Sequence, residues 1–162
     1  MEAEVGMIRI EIPDFGPVEI SHLVLDYNGT LAVDGILREG AAAALNRLAE
    51  RIAVHVLTAD TFGVARSQLE NVRCQLTIIP QDRQEAAKLA HVETLGAATC
   101  FCIGNGRNDR KMLKAARIGI AVIQTEGASG ETLAAADIVC THILDALALL
   151  ENPKRLIATL RS

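Results

Sequence analysis

His22-Leu23-Val24-Leu25-Asp26-Tyr27-Asn28-Gly29-Thr30-Leu31 is the stretch on which the reading of this chain turns. A short apolar run stops on a carboxylate, and a glycine and a hydroxyl follow within one turn. Such a run predicts a strand buried on both faces, with Asp26 delivered to its carboxyl end. Further runs of this kind lie at 52–57, 76–79, 99–103 and 118–123, the first ending at Thr58 and the third at Gly104. Helical patterns separate them. Ala41, Ala44, Leu45 and Leu48 recur at helical spacing, and Phe62, Ala65 and Leu69 mark a helix after Asp60, a plausible N-cap. Asp82-x-x-Glu85 reads as a variant capping box opening a helix that Gly96 closes, and Met112, Leu113 and Ala116 mark another.

Working outward, the start of the chain predicts a hairpin. Residues 7–12 alternate apolar and polar, 13–17 supply turn residues, and Val18-Glu19-Ile20 returns. At the other end Ile138-Val139 reads as a short edge strand. Apolar helical turns follow around 143–150, and after the break at Pro153 a last turn over 154–160 docks on the body. Apolar runs alternating with helices imply an α/β fold, a Rossmann-like three-layer sandwich with a mostly parallel central sheet preceded by an N-terminal β-hairpin. The expected organisation is a single domain over 1–162, with the hairpin at 1–21. Only about a dozen residues separate Leu31 from the first helix, too few for a cap domain.

Composition narrows the function classes. Half of the 162 residues are apolar, enough for a core without staples, and none of the runs reaches the roughly 18 residues of a membrane span. Met1-Glu2-Ala3-Glu4-Val5 lacks the basic and apolar regions of a signal peptide, so the expected location is the cytoplasm. The net charge of −4 and an aromatic complement of Phe15, Tyr27, Phe62 and Phe101 argue against nucleic acid as a partner. Lys154, Arg155 and Arg161 read as a solvated terminus or a subunit contact rather than a membrane surface. Cys100 and Cys102 alternate with Phe101 as buried strand residues, and no cysteine–histidine spacing suggests a zinc site.

In open parallel sheets ligands bind at the carboxyl ends of the strands. Those ends present Asp26 to Leu31, then Thr58-Ala59-Asp60, then Gly104-Asn105-Gly106-Arg107-Asn108-Asp109, with Lys88 on the intervening helix. A carboxylate, a hydroxyl, a lysine and a second acidic group on one edge suit phosphoryl transfer through an acyl phosphate. The stretch at Asp26 resembles the Asp-x-Asp-Gly-Thr motif of the haloacid dehalogenase (HAD) superfamily, or Asp-Lys-Thr-Gly-Thr of the P-type ATPases. Gly104 to Asp109 resembles Gly-Asp-Gly-x-Asn-Asp. Thr58 and Lys88 match the second and third motifs in order, and the likeness is nearest to small capless proteins similar to a soluble P-type ATPase catalytic core.

The resemblance implies a HAD-like fold and a Mg²⁺-dependent phosphohydrolase or phosphotransferase acting on phosphate esters or phosphoanhydrides. Asp26 would be the nucleophile. Asn28, Gly29, Thr58 and Lys88 would hold the phosphoryl group, with Asn28, Thr58 and Lys88 also serving catalysis. Asp26, the Asn28 carbonyl, Asn105 and Asp109 would be the metal ligands. Two departures matter. Asn28 replaces the aspartate that shuttles a proton, so turnover is expected to be slow, since that help is worth about 10²–10⁴ in rate. Asn105 replaces a metal-binding aspartate and removes one negative charge, although its amide oxygen can still ligate a hard cation.

The expected partner is a small phosphorylated substrate or a phosphoprotein, with no nucleic acid and no membrane. A neighbouring copy is expected to close the capless site, as a homo-oligomer; the alternative is an open site for bulky phosphates. A second function is a catalytically weak regulatory or binding module on the same fold. A two-component receiver domain also uses aspartate, threonine and lysine, but leaves Gly104 to Asp109 without a role.

Overall fold

A computed structural model describes residues 6–162; the reading of Met1 to Val5 lies outside them. The hairpin is β1 (Ile8–Ile12) and β2 (Gly16–Ile20), antiparallel, with Ile8 opposite Ile20. It runs directly into β3 (His22–Asp26), and the chain continues through β4 (Ala32–Val33), β5 (Ile36–Leu37) and α1 (Ala41–Ala49). Then come β6 (Ala53–Thr58), α2 (Val64–Gln68), β7 (Gln75–Ile78), α3 (Gln84–Leu95), β8 (Cys100–Gly104) and α4 (Arg110–Ala115). The rest is β9 (Ile118–Val122), α5 (Gly130–Ala135), β10 (Ile138–Cys140), α6 (Ile143–Glu151) and α7 (Pro153–Leu160).

Six parallel strands form the central sheet in the order β10-β9-β8-β3-β6-β7, which puts Asp26 on an interior strand between β8 and β6. Successive residues of each strand face opposite layers. Leu23, Leu25, Val54, Val56, Phe101 and Ile103 pack with α1, α6, α7 and the hairpin. Val24, Leu57, Cys100 and Cys102 pack on the other side with Val92 of α3 and Met112 and Leu113 of α4. Both faces are covered, which is why these strands read as unbroken apolar runs. Arg117 stacks over Phe15, 4.5 Å from the ring centre, and donates to the Pro17 carbonyl at 3.0 Å, tying the hairpin to the start of β9. Among the described residues no helix is long and apolar enough to cross a membrane.

The structure corrects several local expectations. The capping box at Asp82 does not form: Arg83 precedes α3 in a left-handed conformation (φ 58), no side chain caps the helix, and Glu85 pairs with Arg110 and Lys111 instead. Phe62 is not a helix residue but stands 90% exposed ahead of α2. Asp60 does cap α2 from outside, its Oδ2 accepting the Ala65 N–H at 2.8 Å. The small β4–β5 hairpin and α5 were not expected. Two-residue strands carry no readable alternation, and Gly-Glu-Thr-Leu-Ala-Ala is under two turns long.

Three of the four histidines, scattered in sequence, come together in space. His22 on β3, His55 on β6 and His91 on α3 stack at 5.2 and 5.6 Å between ring centres, with His22 Nδ1 3.1 Å from His55 Nε2. His55 is buried, and among the described residues its Nδ1 and the His91 Nε2 have no hydrogen-bond partner; Gln75 comes near enough to favour the cation weakly without completing a bond. Burial, then the two neighbouring rings, pushes His55 down to about 4, and burial lowers His22 and His91. A histidine held neutral in the fold protonates first in the unfolded chain, so this cluster destabilises the fold as pH falls from about 6.5 towards 4. His55→Leu is expected to flatten that acid slope by up to about 3 kcal/mol. Denaturant unfolding at pH 7 and pH 4.5 checks this, and an unchanged slope would contradict it.

Candidate active site

The turn after β3 is built around one carbonyl. The Tyr27 oxygen accepts the N–H groups of Thr30, Leu31 and Ala32 at 3.3, 2.9 and 3.0 Å. Gly29 sits at φ 80 with its α-carbon against the Asn105 side chain, where a β-carbon would collide, so both conformation and space require glycine. The folded turn brings the buried Thr30 hydroxyl between Asp26 Oδ2 (3.4 Å) and Asn105 Oδ1 (3.3 Å). Asn28 is exposed at the rim, its backbone bridged to Ala32.

From the neighbouring β8, the loop 105–109 folds back on its own carboxylate. Asp109 is fully buried, and its Oδ2 accepts the N–H groups of Asn105 (3.0 Å) and Gly106 (2.9 Å). Asn105 Nδ2 donates to the Gly127 carbonyl at 3.0 Å, which aims its oxygen towards Asp26. Lys88 reaches up from α3, 1% exposed, and donates to Asp26 Oδ1 (2.9 Å), Asp109 Oδ1 (2.7 Å) and Asn108 Oδ1 (3.0 Å). Asn108 in turn donates to Gln84 at 2.8 Å.

One ammonium therefore serves two buried carboxylates. Burial raises Asp26 to about 7, the Asp109 charge adds to this, and Lys88 opposes it only in part. Burial works against the charge on Lys88 as well, but Asp26 and Asp109 together prevail and hold it above the ordinary lysine value. Both values rise, yet the rise favours the charge on Lys88 and disfavours that on Asp26, because the lysine has a surplus of partners and the aspartate a deficit.

Thr58 closes the site from β6, buried, its oxygen accepting the Asp60 N–H at 3.2 Å. Above Asp26 opens a cleft of about 690 Å³ lined by Asn28, Thr58, Asn105, Gly106 and Asn108 on one side. Asp34 and Gly35 of the β4–β5 hairpin, with Asp60 and Val64, line the other.

Asp26, Asn28, Gly29, Thr58, Lys88, Asn105 and Asp109 thus gather at one sheet edge, with Lys88 and Asp109 beneath the cleft floor. Lys111 is paired with Glu85, and Lys114 is exposed away from the cleft, so neither competes with Lys88. Arg107 is an exposed partner of Glu131 and does not line the cleft. Thr30, Asn108 and Gln84 carry contacts that the motif reading assigned to no one. Thr30 and Asn108 stood inside the quoted motifs, but only the folded turns reveal their partners.

Among the described residues no group of three or more His, Cys, Asp or Glu side chains could hold a metal. The donors that do converge are oxygens, Asp26 Oδ2 and Asn105 Oδ1, both within 3.4 Å of the Thr30 hydroxyl. This set fits Mg²⁺, a hard cation that keeps several waters and needs few protein oxygens. Both carboxylate oxygens of Asp109 are already engaged, which favours Asn105 as the ligand and Asp109 as the group that holds it in place.

No family model matches the chain. Two uncharacterized proteins of Methanocaldococcus jannaschii are related in sequence. One is 54% identical over 61 residues, 38% of this chain and 66% of that protein, so the match spans just under two thirds of the relative. The other is 46% identical over 39 residues, 24% of this chain and 89% of that protein. Solved structures agree on architecture. The 3-deoxy-D-manno-octulosonate 8-phosphate phosphatase of Moraxella catarrhalis, in complex with magnesium, phosphate and its sugar acid, superposes with a TM-score of 0.66 at 20% identity, covering 88% of this chain and 94% of that one. The cobalt-bound phosphatase of Haemophilus influenzae gives 0.69 at 15% identity, with the same coverage. A zinc-transporting PIB-type ATPase in the E2P state gives 0.61 at 26% identity, covering 76% of this chain and 20% of the ATPase. With its six parallel strands and its motifs on one sheet edge, this chain has the fold of the haloacid dehalogenase superfamily.

Proposed function

We propose that this chain is a Mg²⁺-dependent phosphotransfer enzyme that forms an aspartyl-phosphate at Asp26. The observation that carries the reading is Asp26 itself, an interior-strand carboxylate at the floor of an open cleft, held by Lys88 and Thr30. An Asp26 oxygen attacks phosphorus, the O–P bond to the leaving group breaks, and the acyl phosphate remains on the protein. The Thr58 hydroxyl donates to a phosphoryl oxygen, and Lys88 supplies positive charge behind it. Asp26, Asn105 and the Asn28 carbonyl would hold Mg²⁺, which when bound neutralises phosphoryl charge and favours the ionised Asp26. Asn28 has an amide where a proton shuttle is needed, so neither the leaving oxygen nor the attacking water is assisted, and hydrolysis of the aspartyl-phosphate is the slow step.

The test is incubation with Mg²⁺ and acetyl phosphate or p-nitrophenyl phosphate, following product and phosphoprotein together. Expected is a hydroxylamine-labile phosphoprotein mapping to Asp26, with slow release. Asn28→Asp is expected to speed release about tenfold or more by restoring the shuttle. Neither phosphoprotein nor product from either donor would overturn the proposal and favour a binding module that retains the fold.

A further inference from the structure

Among the described residues no arginine, lysine or histidine lines the cleft above Asp26. Lys88 lies under the floor with its three N–H donors committed to Asp26, Asp109 and Asn108. Carboxylates, by contrast, enter from two separate elements. Asp34 occupies the tip of the β4–β5 hairpin at φ 50, and Asp60 precedes α2. Both are held in place. The Tyr27 hydroxyl donates to the Gly35 carbonyl at 2.7 Å and pins the hairpin tip, while Asp60 accepts the N–H groups of Phe62 (2.9 Å) and Ala65 (2.8 Å).

These walls face the departing group. Attack in line from Asp26 places the leaving oxygen on the far side of phosphorus, outward into the cleft. There the remaining polar surface is made of amides, Gln81, Gln84 and Asn108, which exchange hydrogen bonds with hydroxyls and neutralise nothing. Resting on the assignment of Asp26 as nucleophile, we infer that the substrate is a phosphomonoester of an uncharged, hydroxyl-rich alcohol, and that Asp34 and Asp60 reject leaving groups carrying a second anion. A carboxylate brought within several ångströms of either aspartate, in a cleft open to water whose lining carries no cationic side chain, is disfavoured about tenfold.

Matched donors test this with the whole chain and Mg²⁺: glycerol 3-phosphate against 3-phosphoglycerate, and sorbitol 6-phosphate against 6-phosphogluconate. First-turnover rates are expected to favour the uncharged member of each pair by about tenfold or more, with the gap narrowing at high salt. Asp34→Asn keeps the size and suits the left-handed tip, and is expected to shrink the gap several-fold. Equal rates within each pair, in a protein inactivated by Asp26→Asn, would overturn this inference and leave phosphotransfer standing. An unchanged gap in Asp34→Asn would remove Asp34 from it, and faster reaction of phosphoethanolamine than of glycerol 3-phosphate would overturn the uncharged leaving group. No product or phosphoprotein from any donor, p-nitrophenyl phosphate included, would overturn both readings.

Discussion

Asp26→Asn is expected to abolish phosphoprotein and to lower turnover by about 10⁴-fold or more, because it removes the proposed nucleophile. The same change is expected to leave the protein at least as stable as its parent in metal-free buffer at neutral pH. Asp26 is a buried carboxylate facing a second one, and burial with the Asp109 charge lifts it to about 7. A carboxylate raised in the fold contributes its stability below its unfolded value near 3.8 and loses it as pH rises through about 7. The amide escapes that loss, so its advantage should grow from pH 4 to pH 7. The histidine cluster slopes the other way across the same window, so variant and parent are compared at each pH. A large loss of stability in Asp26→Asn at pH 7, measured in chelator, would refute this account. So would phosphoprotein that survives the substitution.

Lys88→Met is the second large effect. Removing the lysine from a site with two buried carboxylates leaves like charges facing each other without a partner, a change that costs about 3–5 kcal/mol. Asp109 loses its partner at Oδ1, and Asn108 loses the donor that orders it. The loss should be smaller in an Asp26→Asn background, where only one carboxylate remains to be offset. A double-mutant cycle in urea reads that coupling directly. A cost below about 1 kcal/mol would mean that Lys88 is not the charge balance of the site, and retained activity would remove it from catalysis.

The sheet was legible because both of its faces are covered. Strands β8 and β9 are apolar throughout and β3 and β6 mostly so, and each reads as a run without knowledge of its neighbours. The chemistry was legible where a strand ends, at Asp26, Thr58 and Asn105. What sequence could not rank were long-range partners. Lys88, Lys111 and Lys114 look alike until α3 packs on α4 and buries only the first. Asn105 and Asp109 looked interchangeable as ligands until the loop turned the carboxylate inward onto its own N–H groups. Phe62 has helical spacing from Ala65 and Leu69, but Gly63 at φ 82 starts the helix after it. The β4–β5 hairpin, whose tip shapes the cleft, is held by a tyrosine hydroxyl eight residues away, and no periodicity encodes that bond.

That bond also gives the site an optical reporter. The chain has one tyrosine and no tryptophan. All of its tyrosine fluorescence thus comes from a phenol one peptide bond from the nucleophile, with its proton donated to the hairpin carbonyl and the Asp60 charge nearby. Any event that shifts the hairpin or alters charge in the cleft changes the surroundings of that single ring. Unlabelled protein in a cuvette therefore reports on its own cleft.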